Sequence, residues 1–209
     1  MKNFGLYLVM TDPLVGYAKC AEAAVKAGVR IVQLRMKKAS REEILRQGRE
    51  VRSVTAGTDT LFIVNDDPEI ALELGADGVH VGQDDVSPME IRRLFPEIGI
   101  IGLSTHNLEQ VAQVREVNID YIGVGPVYAT PTKEIPDPTL GLDAMRAMIE
   151  LSPCPAVAIG GINSQNARDV VGAGAKNIAV VRAICQSKEP YSELMRLKRK
   201  FVLCQDKRK

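Results

Sequence analysis

Eight short apolar runs punctuate this chain, and their spacing limits its fold more than any other feature. They are "LYLVMT", "IVQLR", "LFIVND", "GVHVG", "IIGLST", "YIGVGPV", "AVAIGG" and "NIAVVRAI". They recur at roughly 20 to 30 residues, and the segments between them carry helical spacing. Examples are "AKCAEAAVKAG", "EEILRQGREVRSV" and "NLEQVAQVREV". The runs are nearly continuous rather than alternating, which suits parallel strands buried on both faces. A phrase also repeats: "KAGVRIVQLR", "ELGADGVHVGQ", "EVNIDYIGVGP" and "GAGAKNIAVVR" each close a helix and enter a strand. Glycine fits a left-handed helix end in three of them, and Asn118 takes its place in the third phrase. Eight βα units in 209 residues, with no linker and no low-complexity stretch, predict a single (β/α)8 TIM barrel over residues 1–209. The basic tail starts at about residue 198. A doubly wound open sheet is the competing α/β architecture. It would be favoured by a GxGxxG turn, but "GVGPVY" lacks the third glycine and there is no P-loop.

Charge narrows the partners. With 27 basic and 26 acidic side chains the formal net charge is +1, so no broad basic surface for nucleic acid is expected and any anion site is local. No apolar run has the length of a membrane span. The start, "MKNFGLYLVMTDPL", reads as a strand rather than a signal peptide. The four cysteines, Cys20, Cys154, Cys185 and Cys204, show no CxxC spacing. Reduced thiols of a cytoplasmic protein are therefore expected, rather than a disulfide framework or a zinc site.

In such a barrel, chemistry collects at the C-terminal ends of the strands. The polar residues there form a related set. Strand two ends in Gln33, Arg35 and Lys37, strand three in Asn65, Asp66 and Asp67, and strand four in His80, Gln83, Asp84 and Asp85. Strand five ends in Ser104, Thr105 and His106, strand seven in Gly160 and Gly161, and strand eight in Arg182. Arg35 and Lys37 alternate with Met36, so an extended chain would turn both to one side. Together with Lys133 they suit a polyanion such as diphosphate; a salt-bridged rim is the plainer reading. Asp66 and Asp85 end neighbouring strands, and converging carboxylates beside a phosphate substrate suit Mg2+. Asp67, just before Pro68, reads as a helix cap. Two glycines before a helix, in "AIGGINSQNA", would let a phosphate approach free N–H groups, though Gly-Gly also marks a tight turn. His80 reads as a core or rim histidine. His106 reads either as a structural neighbour of a helix or as a proton shuttle.

"GVGPVYATPTKEIPDPTLG" is the longest interruption of the βα rhythm. Loops beyond about a dozen residues are uncommon in compact domains and are often functional. Thr130, Pro131, Thr132 and Lys133 are its chemistry-bearing residues.

The set "QLRMK", "VNDD", "GVHVGQDD", "GLSTH", "GPVYATPTK" and "AIGGI" falls in order on successive strand ends from the second to the seventh. In this the chain resembles the thiamine phosphate synthase family. The resemblance implies a transferase that joins a hydroxymethylpyrimidine diphosphate to a thiazole phosphate, giving thiamine phosphate and diphosphate with Mg2+. It implies that Gln33, Leu34, Arg35, Met36, Lys37, Asn65, Ser104 and Lys133 bind the pyrimidine diphosphate, with Arg35, Lys37, Ser104 and Lys133 catalytic. It implies that Asp66 and Asp85 bind the metal. It implies that Thr130, Pro131, Thr132, Gly161, Val181 and Arg182 hold the thiazole phosphate, and that residues 130–138 form a lid. Arg182 departs from the family pattern, which usually has serine there. Two rival readings are a thiazole tautomerase using His106 and a non-catalytic thiazole-phosphate binder. Oligomeric state is not legible in the sequence.

Overall fold

The computed structural model describes residues 3–132 and 138–205. Its eight strands are β1 (Leu6–Met10), β2 (Ile31–Leu34), β3 (Leu61–Asn65), β4 (Gly78–Val81), β5 (Ile100–Thr105), β6 (Tyr121–Val124), β7 (Ala156–Ala158) and β8 (Ile178–Val180). All pair in parallel in chain order, and β8 closes on β1 through Tyr7↔Ala179. The expected (β/α)8 barrel is therefore the fold. Helices α1 (Tyr17–Lys26), α2 (Arg41–Thr55), α3 (Pro68–Glu73) and α4 (Pro88–Leu94) follow the first four strands. Helices α5 (Leu108–Gln113), α6 (Gly141–Leu151), α7 (Ala167–Gly172) and α8 (Arg182–Cys185) follow the rest, and α9 (Pro190–Gln205) packs back on α1 and α7. No helix among the described residues is long and apolar enough to cross a membrane.

The unbroken apolar runs arise because each strand buries both faces. Leu8, Val32, Phe62, Val79, Ile101, Ile122 and Val180 belong to the layer under the helices. Tyr7, Ile31, Ile63, Tyr121, Val157 and Ala179, of opposite parity, fill the barrel interior. Helix starts follow local chemistry. The Ser40 hydroxyl accepts from Glu43 N–H, Asp67 accepts from Ile70 N–H as expected, and Ser87 with Glu90 forms a reciprocal capping box. The C-terminal basic run is mostly α9, whose Leu194, Leu197 and Phe201 are buried.

The repeated phrase has a structural meaning at the N-terminal end of the barrel. Asp77, Asp120 and Asn177 each stand just before an even-numbered strand. The Asp77 carboxylate accepts from Phe62 N–H at 2.7 Å, and that of Asp120 from Ile101 N–H at 2.8 Å. The Asn177 side-chain oxygen accepts from Phe4 and Gly5 N–H at 2.8 and 3.0 Å. Each thus ties its strand to the start of a neighbour.

Several local expectations change. Gly28, Gly75 and Gly174 do take positive φ, but Asn118 does not. There the helix gives way to a 3-10 turn, Val114–Glu116, so no left-handed residue is needed. Strand β2 stops at Leu34, so Arg35 and Lys37 do not alternate along an extended strand; Lys37 lies in a turn. The glycine pair does not open a helix, because α7 starts only at Ala167.

Candidate active site

A cavity of about 500 Å3 opens at the C-terminal ends of the strands. Gln33, Arg35, Lys37, Asn65, Asp66, Asp85, Ser104, Thr130, Pro131, Thr132, Gly161, Val181 and Arg182 all line it. Leu34 and Met36 do not. Leu34 packs in the layer beneath the helices because the pleat of β2 turns it away from Gln33, and Met36, beyond the strand, packs against the same layer. Lys133 and most of the expected lid lie outside the described residues.

One wall is built by β2, β3 and β4. Lys37 Nζ is ion-paired with Asp66 Oδ2. Asp66 sits at φ 67°, a left-handed conformation that aspartate tolerates better than most side chains, and its N–H donates to His80 O at 2.8 Å. Burial pushes the Asp66 carboxyl up; Lys37 pulls it down and Asp85 adds to the rise. Asp85 lines the same cavity, and its Oδ2 is fixed by Gly82 N–H at 2.6 Å. Burial draws the Arg35 guanidinium down, opposed by Asp66, Asp12 and Tyr17. It stays charged, as arginine does in proteins.

The floor is a chain of polar side chains inside the barrel. Gln33 Nε2 donates to the Tyr7 hydroxyl at 2.6 Å, which is 2.8 Å from the Tyr121 hydroxyl. Tyr121 meets His80 Nδ1 at 3.0 Å, and His80 Nε2 meets Ser104 Oγ at 2.9 Å. Burial raises both tyrosine pKa values, so both keep their protons. One polarity satisfies every partner: Gln33 donates to Tyr7, Tyr7 to Tyr121, Tyr121 to His80, and His80 to Ser104. That leaves the Ser104 proton free to point into the cavity. Gly102 makes the arrangement possible, because a Cβ there would lie 2.2 Å from the Tyr121 ring and 2.4 Å from His80 Nδ1. His80 is thus both a satisfied interior histidine and part of the cavity lining.

The opposite wall comes from β6, β7 and β8. Thr130 and Thr132 are hydrogen-bonded to each other at 2.9 Å. Gly160 and Gly161 have φ of 104° and 64°, and added Cβ atoms would lie 2.5 Å from Pro126 Cα and 2.7 Å from Tyr128 Cβ. Both glycines therefore answer to the close passage of the chain after β6. His106 lines the cavity with Nδ1 2.7 Å from Gly125 O. Among lining residues the sequence reading missed Tyr7, Tyr121, Asn163 and Gln186. Tyr7 and Tyr121 were legible in principle, as hydroxyl-bearing residues inside apolar strands.

The donor set suits one kind of metal. Among the described residues no group of three or more His, Cys, Asp or Glu could hold an ion. A converging pair of carboxylates is what Mg2+ takes when substrate oxygens and water complete its shell. Asp66 and Asp85 fit that pattern.

Residues 6–184 match the family model described as thiamine monophosphate synthase. The chain is 43% identical over 197 residues to the thiamine-phosphate synthase of Archaeoglobus fulgidus, covering 92% of each. It is 40% identical over 196 residues to that of Albidiferax ferrireducens, covering 92% of this chain and 90% of the relative. Among solved structures, thiamine phosphate pyrophosphorylase from Pyrococcus furiosus superposes with a TM-score of 0.88 at 30% identity, over 97% of this chain and 98% of that one. The 3-hexulose-6-phosphate synthase of Salmonella typhimurium, at 17% identity and a TM-score of 0.70 over 98% of this chain and all of its own, shares the fold alone.

Proposed function

This chain belongs to the thiamine monophosphate synthase family, and from that premise we propose that it joins a pyrimidine methyl diphosphate to a thiazole phosphate. It is a transferase of the thiamine-phosphate synthase type. The observation that carries the finer reading is the placement of Arg35, Lys37, Asp66 and Asp85 on one wall of a cavity whose other wall holds Thr130, Thr132 and Arg182. A diphosphate suits the first wall and a phosphate monoester the second.

The reaction needs no nucleophile from the protein. The bond between the pyrimidine methylene and the diphosphate oxygen breaks, the aminopyrimidine ring delocalises the positive charge, and the thiazole nitrogen attacks the methylene carbon. Arg35 and Lys37 stabilise the charge that develops on the leaving diphosphate. Mg2+, held by Asp66 and Asp85, would supply further charge neutralisation to its oxygens. Gln33 and Ser104 present fixed hydrogen-bonding groups to the pyrimidine diphosphate, because the buried chain between them leaves little freedom. Orientation of the two rings can contribute up to about 7–11 kcal/mol. The apolar interior side chains Val9 and Val157 keep water from the cation. Lys133, placed by sequence pattern alone, joins the diphosphate side.

The intact cation–carboxylate wall favours the transferase over a tautomerase using His106, which has no diphosphate to bind. The test is a coupling assay with purified protein, Mg2+, pyrimidine diphosphate and thiazole phosphate. Thiamine phosphate and diphosphate are expected in equal amounts. Aromatised thiazole phosphate without diphosphate release would replace the transferase by the tautomerase.

A further inference from the structure

Two aspartates flank β2, one following β1 and one following β3. Met10, Leu34 and Val64 share one register row of the three strands, and Asp12 and Asp66 each lie two residues beyond it. They are also the two non-glycine residues with positive φ among the described residues, at 44° and 67°. A side chain in that region is strained, and the strain persists only where surrounding contacts impose it. For Asp12 those contacts are explicit. Its N–H donates to the Tyr17 hydroxyl at 3.1 Å, that hydroxyl donates to Asp12 Oδ1 at 3.4 Å, and Gln186 Nε2 donates to Asp12 O at 3.3 Å. Burial pushes Tyr17 up to about 12, so it keeps its proton. Asp66 already has uses, as the partner of Lys37 and a candidate metal ligand. Asp12 lies outside the lining of the cavity, and none of those uses extends to it.

Between the two aspartates stands Arg35, half-buried in the cavity wall, its backbone N–H bonded to Met10 O at 3.0 Å. Among the described residues its guanidinium has no hydrogen-bond or ion-pair partner. It lies in the fields of Asp66 from β3 and of Asp12 and Tyr17 from β1. A long cationic side chain held by no direct bond takes its direction from such charges. We propose that Asp12 is a positioning residue for the reaction, drawing Arg35 toward β1 so that its guanidinium stays off Asp66 and faces the leaving diphosphate. The inference rests on the reading that Arg35 binds the diphosphate. Without the Asp12 charge the pull of Asp66 is unopposed, and an Arg35 turned to Asp66 is lost to the diphosphate. Asp12 is exposed, so water and salt weaken its pull and the effect is moderate.

Steady-state kinetics of the full chain test this through the sign of the effect. Asp12→Asn removes a negative charge near an anion site, and charge alone would then favour the diphosphate. The positioning role predicts the reverse: kcat/KM for the pyrimidine diphosphate falls about five- to fiftyfold, while KM for thiazole phosphate stays within about twofold. In an Arg35→Ala background the same substitution should change kcat/KM by less than about twofold, because no guanidinium is left to position. Asp12→Gly, which relaxes the backbone and lacks the carboxylate, should lose as much as Asp12→Asn. A thermal melt checks that each variant is folded. Folded Asp12→Asn with unchanged or higher kcat/KM would overturn the role of Asp12 while leaving the synthase reading standing. So would a loss that persists undiminished in the Arg35→Ala background, or a fully active Asp12→Gly. An unaltered protein that forms no thiamine phosphate would overturn both readings.

Discussion

The two ends of the barrel are built on opposite plans. At the N-terminal end one device appears three times. Asp77, Asp120 and Asn177, at matching places in a repeated phrase, each take backbone N–H groups of a neighbouring strand or its approach. At the C-terminal end the side chains vary from strand to strand: Lys37, Asp66, Ser104, Thr130 and Arg182 come from the ends of five different strands and line one cavity. Repetition serves a requirement that every strand shares, the satisfaction of its first backbone donors. Divergence serves a substrate whose atoms are all different. Conventional barrels divide stability and catalysis between their ends in the same way.

The sharpest test of this division is Lys37→Ala combined with Arg35→Ala. Turnover should fall by about a thousandfold or more, the magnitude typical of removing charge stabilisation from a transition state. The melting temperature should stay close to that of the unaltered chain. A large drop in melting temperature instead would mean that this wall holds the barrel together. Next in size, Asp66→Ala should move the Mg2+ activation curve to at least about tenfold higher concentration. An unchanged Mg2+ titration would remove Asp66 from the metal site. At the other end, Asp120→Ala strips Ile101 N–H and Arg92 of an acceptor they share. The expected cost is about 1–3 kcal/mol of stability, read by chemical denaturation, with kcat/KM nearly unchanged. Gly102→Ala should blur the comparison, because it lies between the two ends. Its Cβ would press on Tyr121 and His80, costing about 1–3 kcal/mol and disturbing the floor under the pyrimidine as well. Equal activity in that variant would mean that the Tyr7–Tyr121–His80 chain does not position Ser104.

Much of the fold was legible because it rests on periodicity. Continuous β-branched runs and regular helical spacers leave few alternatives to eight parallel strands in order. The site was legible as a set of strand ends, but not always for the right reason. Arg35 and Lys37 reach the cavity although Lys37 sits in a turn. Leu34 and Met36 were drawn in with their motif neighbours, yet both pack under the helices. Asn118 looked like a helix cap because it occupies glycine's place in the repeat, but a 3-10 turn removes the need. Tyr7 and Tyr121 went unnoticed because an aromatic residue in a strand reads as core, and only their inward parity makes their hydroxyls part of the site.

From the sequence alone came the number and order of the βα units, the strand-end chemistry and the family, because these depend on spacing along one chain. The tertiary structure decided which carboxylate meets which cation, that Gln33 and Ser104 are joined through two buried tyrosines and the half-buried His80, and that Gly160 and Gly161 have no room for a side chain. Those outcomes depend on how eight strands register and close, which brings together residues more than a hundred positions apart, such as Tyr7 and Tyr121.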